Sequence, residues 1–335
     1  MSKRTTVKDI AEACGVSPAT VSRVLNGNPT VAVELVERVE AAIREHNFRP
    51  NRAGRALRRQ RSDLFAVIVP DVRNPFFARL IGAFEDVAHE HGFAVMLCNS
   101  QEDLSLERSA MEAVIAHQVS GVLIAAVSAS RSSLQTLQLE GVPVVSIDRI
   151  VETFNGDTVI VDNDLIGRMA AEHLLEQGWT RPLVLRHEGD LSPLLARERG
   201  FLRAMREAGY DLGEHATAAV PFGSDEAEAH VAQAVRGAGT DAVFATTNTL
   251  TALAYRALLD DGRRIGQDVA LIGVDDDRWN VLVQPQVTAI EQPAEQLGMW
   301  AAQILLGRDS GNPASHARMV LDPQLRVRGS TLRQR

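Results

Sequence analysis

Thr6-Val7-Lys8-Asp9-Ile10-Ala11-Glu12-Ala13-Cys14-Gly15-Val16-Ser17-Pro18-Ala19-Thr20-Val21-Ser22-Arg23-Val24-Leu25-Asn26-Gly27 is the stretch on which the reading of this chain turns. Thr6 is a good N-cap, and Val7, Ile10, Ala11 and Cys14 follow at helical spacing on one face. Gly15 breaks that helix. Val16 is an apolar plug and Ser17 a second N-cap. Pro18 falls in a first helical turn, where its missing N–H costs nothing. The second helix runs to about Asn26, with Val21, Val24 and Leu25 inward and Thr20, Ser22 and Arg23 outward. Asn26-Gly27-Asn28-Pro29 is a stop signal. A third helix follows, with Val36, Val39 and Ile43 as its buried stripe. Two short helices joined by a Gly-containing turn, then a third packing helix, predict a helix-turn-helix. The plainer alternative is a small helical cap with no ligand. Against it, Ser17, Thr20, Ser22 and Arg23 place short polar and guanidinium groups on a two-turn helix that fits a major groove.

The charge distribution agrees. The whole chain carries −8 and a pI of 5.6. Residues 1–62 hold twelve Lys+Arg against six Asp+Glu, a local +6, and the remainder carries −14. A small basic head on an acidic body suits nucleic acid, because phosphate attraction is local. The arginines at 44, 49, 52, 55, 58, 59 and 61 follow the third helix with only Glu45 opposing them. A solvated linker is the bland interpretation. The string Phe48-Arg49-Pro50-Asn51-Arg52-Ala53-Gly54-Arg55-Ala56-Leu57-Arg58-Arg59 is more specific. Pro50 can start a helix of about two turns, too short to be stable alone. Leu57 is the one large apolar side chain in it after Pro50, suited to wedge between base steps in a minor groove. Folding of this hinge on DNA would make it a switch.

Composition narrows the rest. With 335 residues, 45% hydrophobic and 23% charged, the chain is globular and not low-complexity. It has no apolar run of 18 residues and no h-region after its basic start, so neither a transmembrane helix nor a secretory signal is expected. Cys14 and Cys98 form no metal spacing and no disulfide framework. The expected location is cytoplasmic, with no membrane partner.

From residue 63 short apolar runs alternate with helical stretches. Strands are expected at Leu64–Val69, Phe93–Cys98, Gly121–Ala126, Val142–Ile147, Thr158–Val161, Leu183–Arg186, Ala242–Ala245, Ala270–Val274 and Val287–Ile290. Helices are expected at Phe77–His91, Leu165–Gln177, Leu194–Ala208 and Ala227–Val235, among others. The pattern predicts an α/β body of parallel sheets covered on both faces, and its length suits two doubly wound lobes. No G-x-G-x-x-G, Walker or G-x-S-x-G motif occurs there. Ligands in such folds sit beyond the carboxyl ends of the strands. Those ends carry Asp71 and Asn74-Pro75-Phe76-Phe77, Asp148-Arg149, Asp162-Asn163-Asp164, Thr246-Thr247-Asn248, Asp275-Asp276-Asp277 with Trp279, and Gln292. Arg197 opens a further polar run. Carboxylates, amides, an arginine and aromatic faces suit a polyhydroxylated ligand. An Asp after a strand is often only a helix cap, and Asp162 and Asn163 are expected to cap the next helix.

The stretch 7–27 and the Arg49-Pro50-Asn51-Arg52 hinge resemble the lactose-repressor/galactose-repressor (LacI/GalR) family, and the likeness extends over essentially the whole chain. It departs at Gly54, where alanine is usual. The resemblance implies a helix-turn-helix head at 1–48, a hinge at 49–62 and a two-lobed body at 63–335 like periplasmic sugar-binding proteins. Lobe 1 would comprise about 63–161 and 293–321, and lobe 2 about 162–291 and 322–335. It implies operator contacts from Thr6, Ser17, Pro18, Ala19, Thr20, Ser22, Arg23, Asn26, Asn51, Arg52, Arg55 and Leu57. Pro18, Ala19 and Arg23 would discriminate operators and Leu57 would wedge the central step. It places the effector on Phe76, Phe77, Asp148, Arg149, Arg197, Thr247, Asn248, Asp275, Trp279 and Gln292. Thr247 is a departure, a hydroxyl replacing an amide. No cofactor and no metal are implied.

The leading expectation is a ligand-responsive repressor binding a near-palindromic operator as a homodimer. Its effector would be a sugar, with a purine or nucleoside as the competitor. No leucine heptad follows Ser330, so tail-mediated tetramers are not expected. One alternative is a sugar-metabolising α/β enzyme with a basic appendage, using Asp275-Asp276-Asp277 on a metal. The other is a transport solute-binding protein, which a DNA-binding head argues against.

Overall fold

The computed structural model describes residues 5–25, 31–46, 62–213, 216–237, 239–310 and 315–333. Two compact units result, one up to Ser62 and one from Asp63. Asn26, Asn51, Arg52, Arg55 and Leu57 lie outside the described residues.

The first unit contains α1 (Val7–Ala13), α2 (Pro18–Leu25) and α3 (Val33–Glu45). Thr6 and Asp9 close α1 with a capping box. The Asp9 N–H donates to Thr6 Oγ1 at 3.4 Å and the Thr6 N–H to the Asp9 carboxylate at 2.7 Å. Gly15 takes the turn at φ +60°, which a side chain would resist. Ser17 Oγ then accepts the Thr20 N–H at 3.1 Å and starts α2. Ile10, Ala11, Cys14, Val21, Val39 and Ala42 form the buried core, with Val7, Val16, Val24 and Ile43 packed against it. In α3 Val39 is buried as expected, Ala42 joins it, and Val36 and Ile43 are half-buried.

Strands and helices alternate through most of the body. In chain order it comprises β1 (Leu64–Val69), α4 (Pro75–Glu90), β2 (Ala94–Asn99), α5 (Leu104–Ala116), β3 (Gly121–Ile124), α6 (Gln135–Leu139), β4 (Val144–Ile147), β5 (Asp157–Val161), α7 (Asn163–Glu176) and β6 (Pro182–His187). It continues with α8 (Ser192–Glu207), β7 (Thr217–Val220), α9 (Ser224–Val235), β8 (Ala242–Ala245), α10 (Asn248–Asp260), β9 (Ala270–Val274), a 3-10 turn (Arg278–Val281), β10 (Thr288–Glu291), α11 (Ala294–Asp309), β11 (Arg318–Leu321) and β12 (Gln324–Arg326). The strands form two six-stranded sheets, β11-β5-β4-β3-β1-β2 and β12-β10-β9-β8-β6-β7. The first is wholly parallel, and in the second only β12 runs antiparallel. The two orders correspond strand for strand, so β4 and β9 occupy the same place.

Helix pairs seal the sheets at close range. A Cβ on Gly200 in α8 would lie 2.1 Å from the Asp164 carbonyl oxygen of α7, and one on Gly167 in α7 would lie 1.9 Å from that of Arg197. In the other half, a Cβ on Gly298 of α11 would lie 2.1 Å from the Leu80 carbonyl of α4. Backbone thus meets backbone at both crossings, and one crossing fixes where Arg197 stands. Among the described residues, no helix is long and apolar enough to cross a membrane.

Candidate functional site

In the head unit, Ser17, Pro18, Ala19 and Arg23 are exposed, and Thr20 and Ser22 are half-buried. Ser17 Oγ and Thr20 Oγ1 lie 2.9 Å apart, which orders the start of α2. The exposed Thr6 hydroxyl is engaged in the cap of α1. The face offered by α2 is therefore small, polar and carries one guanidinium, dimensions that a major groove admits.

In the body, the carboxyl ends of β1, β4, β6, β8, β9 and β10 converge on a cavity of about 370 Å³. Phe76, Phe77, Asp148, Arg149, Arg197, Thr247, Asn248, Asp275 and Gln292 line it. Asp148 follows β4 and Asp275 follows β9, so each sheet contributes an aspartate from its equivalent strand. Each takes a left-handed backbone, φ +63° and φ +70°, a conformation that Asp tolerates better than most residues. Each N–H donates to the neighbouring strand, Asp148 to the Val159 carbonyl at 3.0 Å and Asp275 to that of Ile290 at 2.9 Å.

Arg197 is the hub beneath them and is 3% exposed. Its Nε donates to Asn163 Oδ1 at 2.8 Å. One terminal nitrogen donates to the Thr246 carbonyl at 2.7 Å, and the other to Gln292 Oε1 at 2.7 Å. Gln292 Nε2 passes the chain on to Asp275 Oδ1 at 2.8 Å. Burial pushes the Asp275 carboxyl up to about 6 against the pull of Arg197 and Gln292. Burial also raises Asp148, with Arg149 and Arg197 opposing, and lowers Arg197.

Arg149 is held in a bidentate pair with Glu102, at 2.8 and 2.6 Å, and donates to the Ala126 carbonyl at 2.8 Å. Burial opposes its charge, but Glu102 outweighs burial and raises its pKa. Phe76 and Phe77 pack edge to face at 5.1 Å. Polar contacts bridge the halves of the body, among them an ion pair of Arg79 with Asp277 at 3.8 Å. Asn248 Nδ2 donates to Asn74 Oδ1 at 2.9 Å, Ser128 and Ser130 donate to Asp190 at 3.0 and 2.8 Å, and the Ile150 N–H donates to Ser192 Oγ at 2.9 Å.

Trp279 is not among the described lining residues. It sits in the 3-10 turn, half-buried, with its ring edge-on to Tyr255 at 5.6 Å. The aromatic contribution on that half comes instead from Phe222, stacked on His187 at 4.2 Å. His187, Phe222 and Glu102 escaped the sequence reading, and Asn163 entered it only as a helix cap. His187 ends β6, so the rule of strand ends pointed at it, whereas Phe222 and Glu102 reach the cavity only through the tertiary fold. Asp162 does cap α7, accepting the Leu165 N–H at 2.9 Å, but Asn163 does not share that task and turns to Arg197. Thr247 lines the cavity while its hydroxyl caps α10 through the Leu250 N–H at 3.2 Å. The three acids after β9 diverge: Asp275 meets Gln292, Asp276 pairs with Arg328 at 2.8 and 2.6 Å, and Asp277 accepts from Asn248 at 3.2 Å. That geometry does not gather them around a metal ion.

Two family descriptions match the chain, "Bacterial regulatory proteins, lacI family" over residues 6–51 and "Periplasmic binding protein-like domain" over residues 171–331. A ribose operon repressor of Halalkalibacterium halodurans is 32% identical, spanning 98% of this chain and 97% of that protein. The ribose operon repressor of Escherichia coli K12 is 30% identical, over 97% and 99%. PtxS, a helix-turn-helix regulator of Pseudomonas putida, is 30% identical, over 98% and 96%. Among solved structures, the regulator CelR in complex with cellobiose superposes with a TM-score of 0.74 at 29% identity, covering 98% of this chain and 100% of that one. The lac repressor dimer bound to operator superposes at 0.86 over 98% and 100%, and at 23% identity it speaks for the fold. With a matching head, a matching body and full-length relatives at this identity, the chain belongs to the lacI family of bacterial regulatory proteins.

Proposed function

We propose that this chain is a ligand-responsive transcriptional repressor whose head binds a near-palindromic operator as a dimer and whose body binds a sugar effector in the cavity. It is a regulator and not an enzyme. The observation that carries the effector reading is the buried chain Asn163–Arg197–Gln292–Asp275 beneath a cavity with aromatic walls. Fixed donors and acceptors of that kind match hydroxyl groups, and the rings offer faces for C–H bonds. Relatives carry the name ribose operon repressor, and one structural neighbour holds cellobiose. A cytoplasmic location follows from a role on DNA.

On the head, Thr6, Ser17, Pro18, Ala19, Thr20, Ser22 and Arg23 are the proposed operator contacts. Asn26, Asn51, Arg52, Arg55 and Leu57 complete the set from the sequence. A ligand touching both Asp148 and Asp275 holds the two halves of the body in one arrangement, and coupling to the operator arises from its differential affinity for that arrangement. DNase footprinting on the DNA upstream of its own and neighbouring genes, with and without sugars, tests this directly. A protected palindrome whose occupancy responds to a sugar is expected. Absence of any protected palindrome refutes the regulator reading.

A further inference from the structure

We propose that the cavity selects an effector with no anionic group: a free polyol, and neither a phosphorylated sugar nor a sugar acid. This deepens the sugar-effector reading and rests on it. An anion needs unpaired cations or open backbone N–H groups, and this cavity has paired its guanidinium groups and engaged part of its N–H supply.

Each guanidinium on the wall is already committed. Arg73 pairs with Asp71 at 2.9 and 3.2 Å, and Arg149 pairs with Glu102. Arg197 donates from all three nitrogens to Asn163, Thr246 and Gln292. The two ion pairs cancel. What remains is Arg197 between Asp148 and Asp275, both buried, so the interior carries more negative than positive charge.

At the helix N-termini that face the cavity, part of the N–H supply is already taken or missing, although Gly223 leaves α9 without a side-chain cap. Pro75 removes one N–H at the start of α4, and Asn74 Oδ1 takes the next, from Phe76, at 3.0 Å. Pro193 removes an N–H at the start of α8. At α10, Thr247 takes the Leu250 N–H and Asn248 Oδ1 the Thr249 N–H at 2.9 Å. Glu228 lines the cavity from the first turns of α9 and sets a carboxylate there. Hydroxyls fit this site because they donate to Asp148 and Asp275 without adding charge.

Isothermal titration of the full-length protein tests this with matched probes: ribose and ribose 5-phosphate, glucose with glucose 6-phosphate and gluconate, and adenosine with its monophosphate. In any pair that binds, the neutral member is expected to be at least tenfold tighter. An anionic member that binds equally or more tightly overturns the charge inference and leaves the small-molecule site standing. Failure of every neutral and anionic probe removes the sugar reading and this inference with it. Asp148→Asn supplies the second readout, since asparagine also tolerates the left-handed backbone. It should narrow the neutral-to-anionic gap severalfold, and an unchanged gap would show that charge does not set the preference.

Discussion

At the scale of single residues, the cavity trades stability for recognition. Asp275 is buried with its folded pKa near 6, against an ordinary value of 3.8. Between those values the folded state holds more protons than the unfolded one. Stability contributed by this group therefore falls as pH rises from about 4 to 6 and is level above. The cost at neutral pH amounts to at most about 3 kcal/mol. Asp275→Asn removes it while keeping an oxygen for the Gln292 N–H. The variant without effector should melt higher at pH 7–8, match the parent near pH 4, and lose effector binding. Thermal melts across that range check the sign, and a variant less stable than the parent at pH 8 would contradict it. Arg197→Lys should abolish effector binding, because one ammonium cannot reach Asn163, the Thr246 carbonyl and Gln292 together. Titration with a binding sugar reads that loss. Much of this site was legible, since strand ends pointed to Asp148, Thr247, Asn248, Asp275 and Gln292. Trp279 stands off the cavity wall because a ring five residues past a strand end can turn either way, and here Tyr255 holds it. Phe222 was hidden because a lone aromatic in a loop carries no periodicity.

Elements were readable where they are buried. The strands at Leu64–Val69, Ala242–Ala245 and Ala270–Val274 coincide with their apolar runs, because interior parallel strands are covered on both faces. The three strands left unread, Thr217–Val220, Arg318–Leu321 and Gln324–Arg326, all lie at sheet edges, where half-exposed positions break the apolar run. Helix starts were read two or three residues late at Pro75, Asn163, Ser192 and Ser224, since first turns are polar and show no stripe. Glycine contacts could not be read at all, because no local pattern announces a helix crossing. Gly200 is the sharpest case: a Cβ there meets the Asp164 carbonyl at 2.1 Å and must part α8 from α7. Gly200→Ala is expected to destabilise the body by about 2–4 kcal/mol, through overpacking, and to weaken effector binding by moving Arg197. Gly307 in α11 has open space around its Cβ position. Gly307→Ala should be neutral or stabilising by up to about 1 kcal/mol. Equal denaturation midpoints for the two variants would show that the crossing is not tight.

For the whole molecule, two partitions matter: between the halves of the body, and between basic head and acidic body. Asp190 tests the first. It lies outside the cavity wall, yet it accepts from Ser128 and Ser130 across the halves. Asp190→Ala should weaken effector binding about three- to tenfold, the scale of ~1 kcal/mol for a hydrogen-bonded contact. An unchanged affinity would mean that closure does not depend on that clasp. The second partition governs DNA. Residues 1–62 carry +6 and the rest −14, so attraction to phosphates comes from the head and hinge while the body repels the duplex. Non-specific binding should be weak and operator binding steep in salt. Each phosphate neutralised adds about −0.9 to the slope of log affinity against log salt, so six to ten contacts from two heads cost roughly 10³–10⁵ in affinity between 50 and 200 mM. Fluorescence anisotropy on a labelled operator over that range gives the slope. A slope shallower than about −4 would mean fewer than five neutralised phosphates, too few for two heads with arginine hinges, and would assign the specificity to contacts other than those of the basic segment.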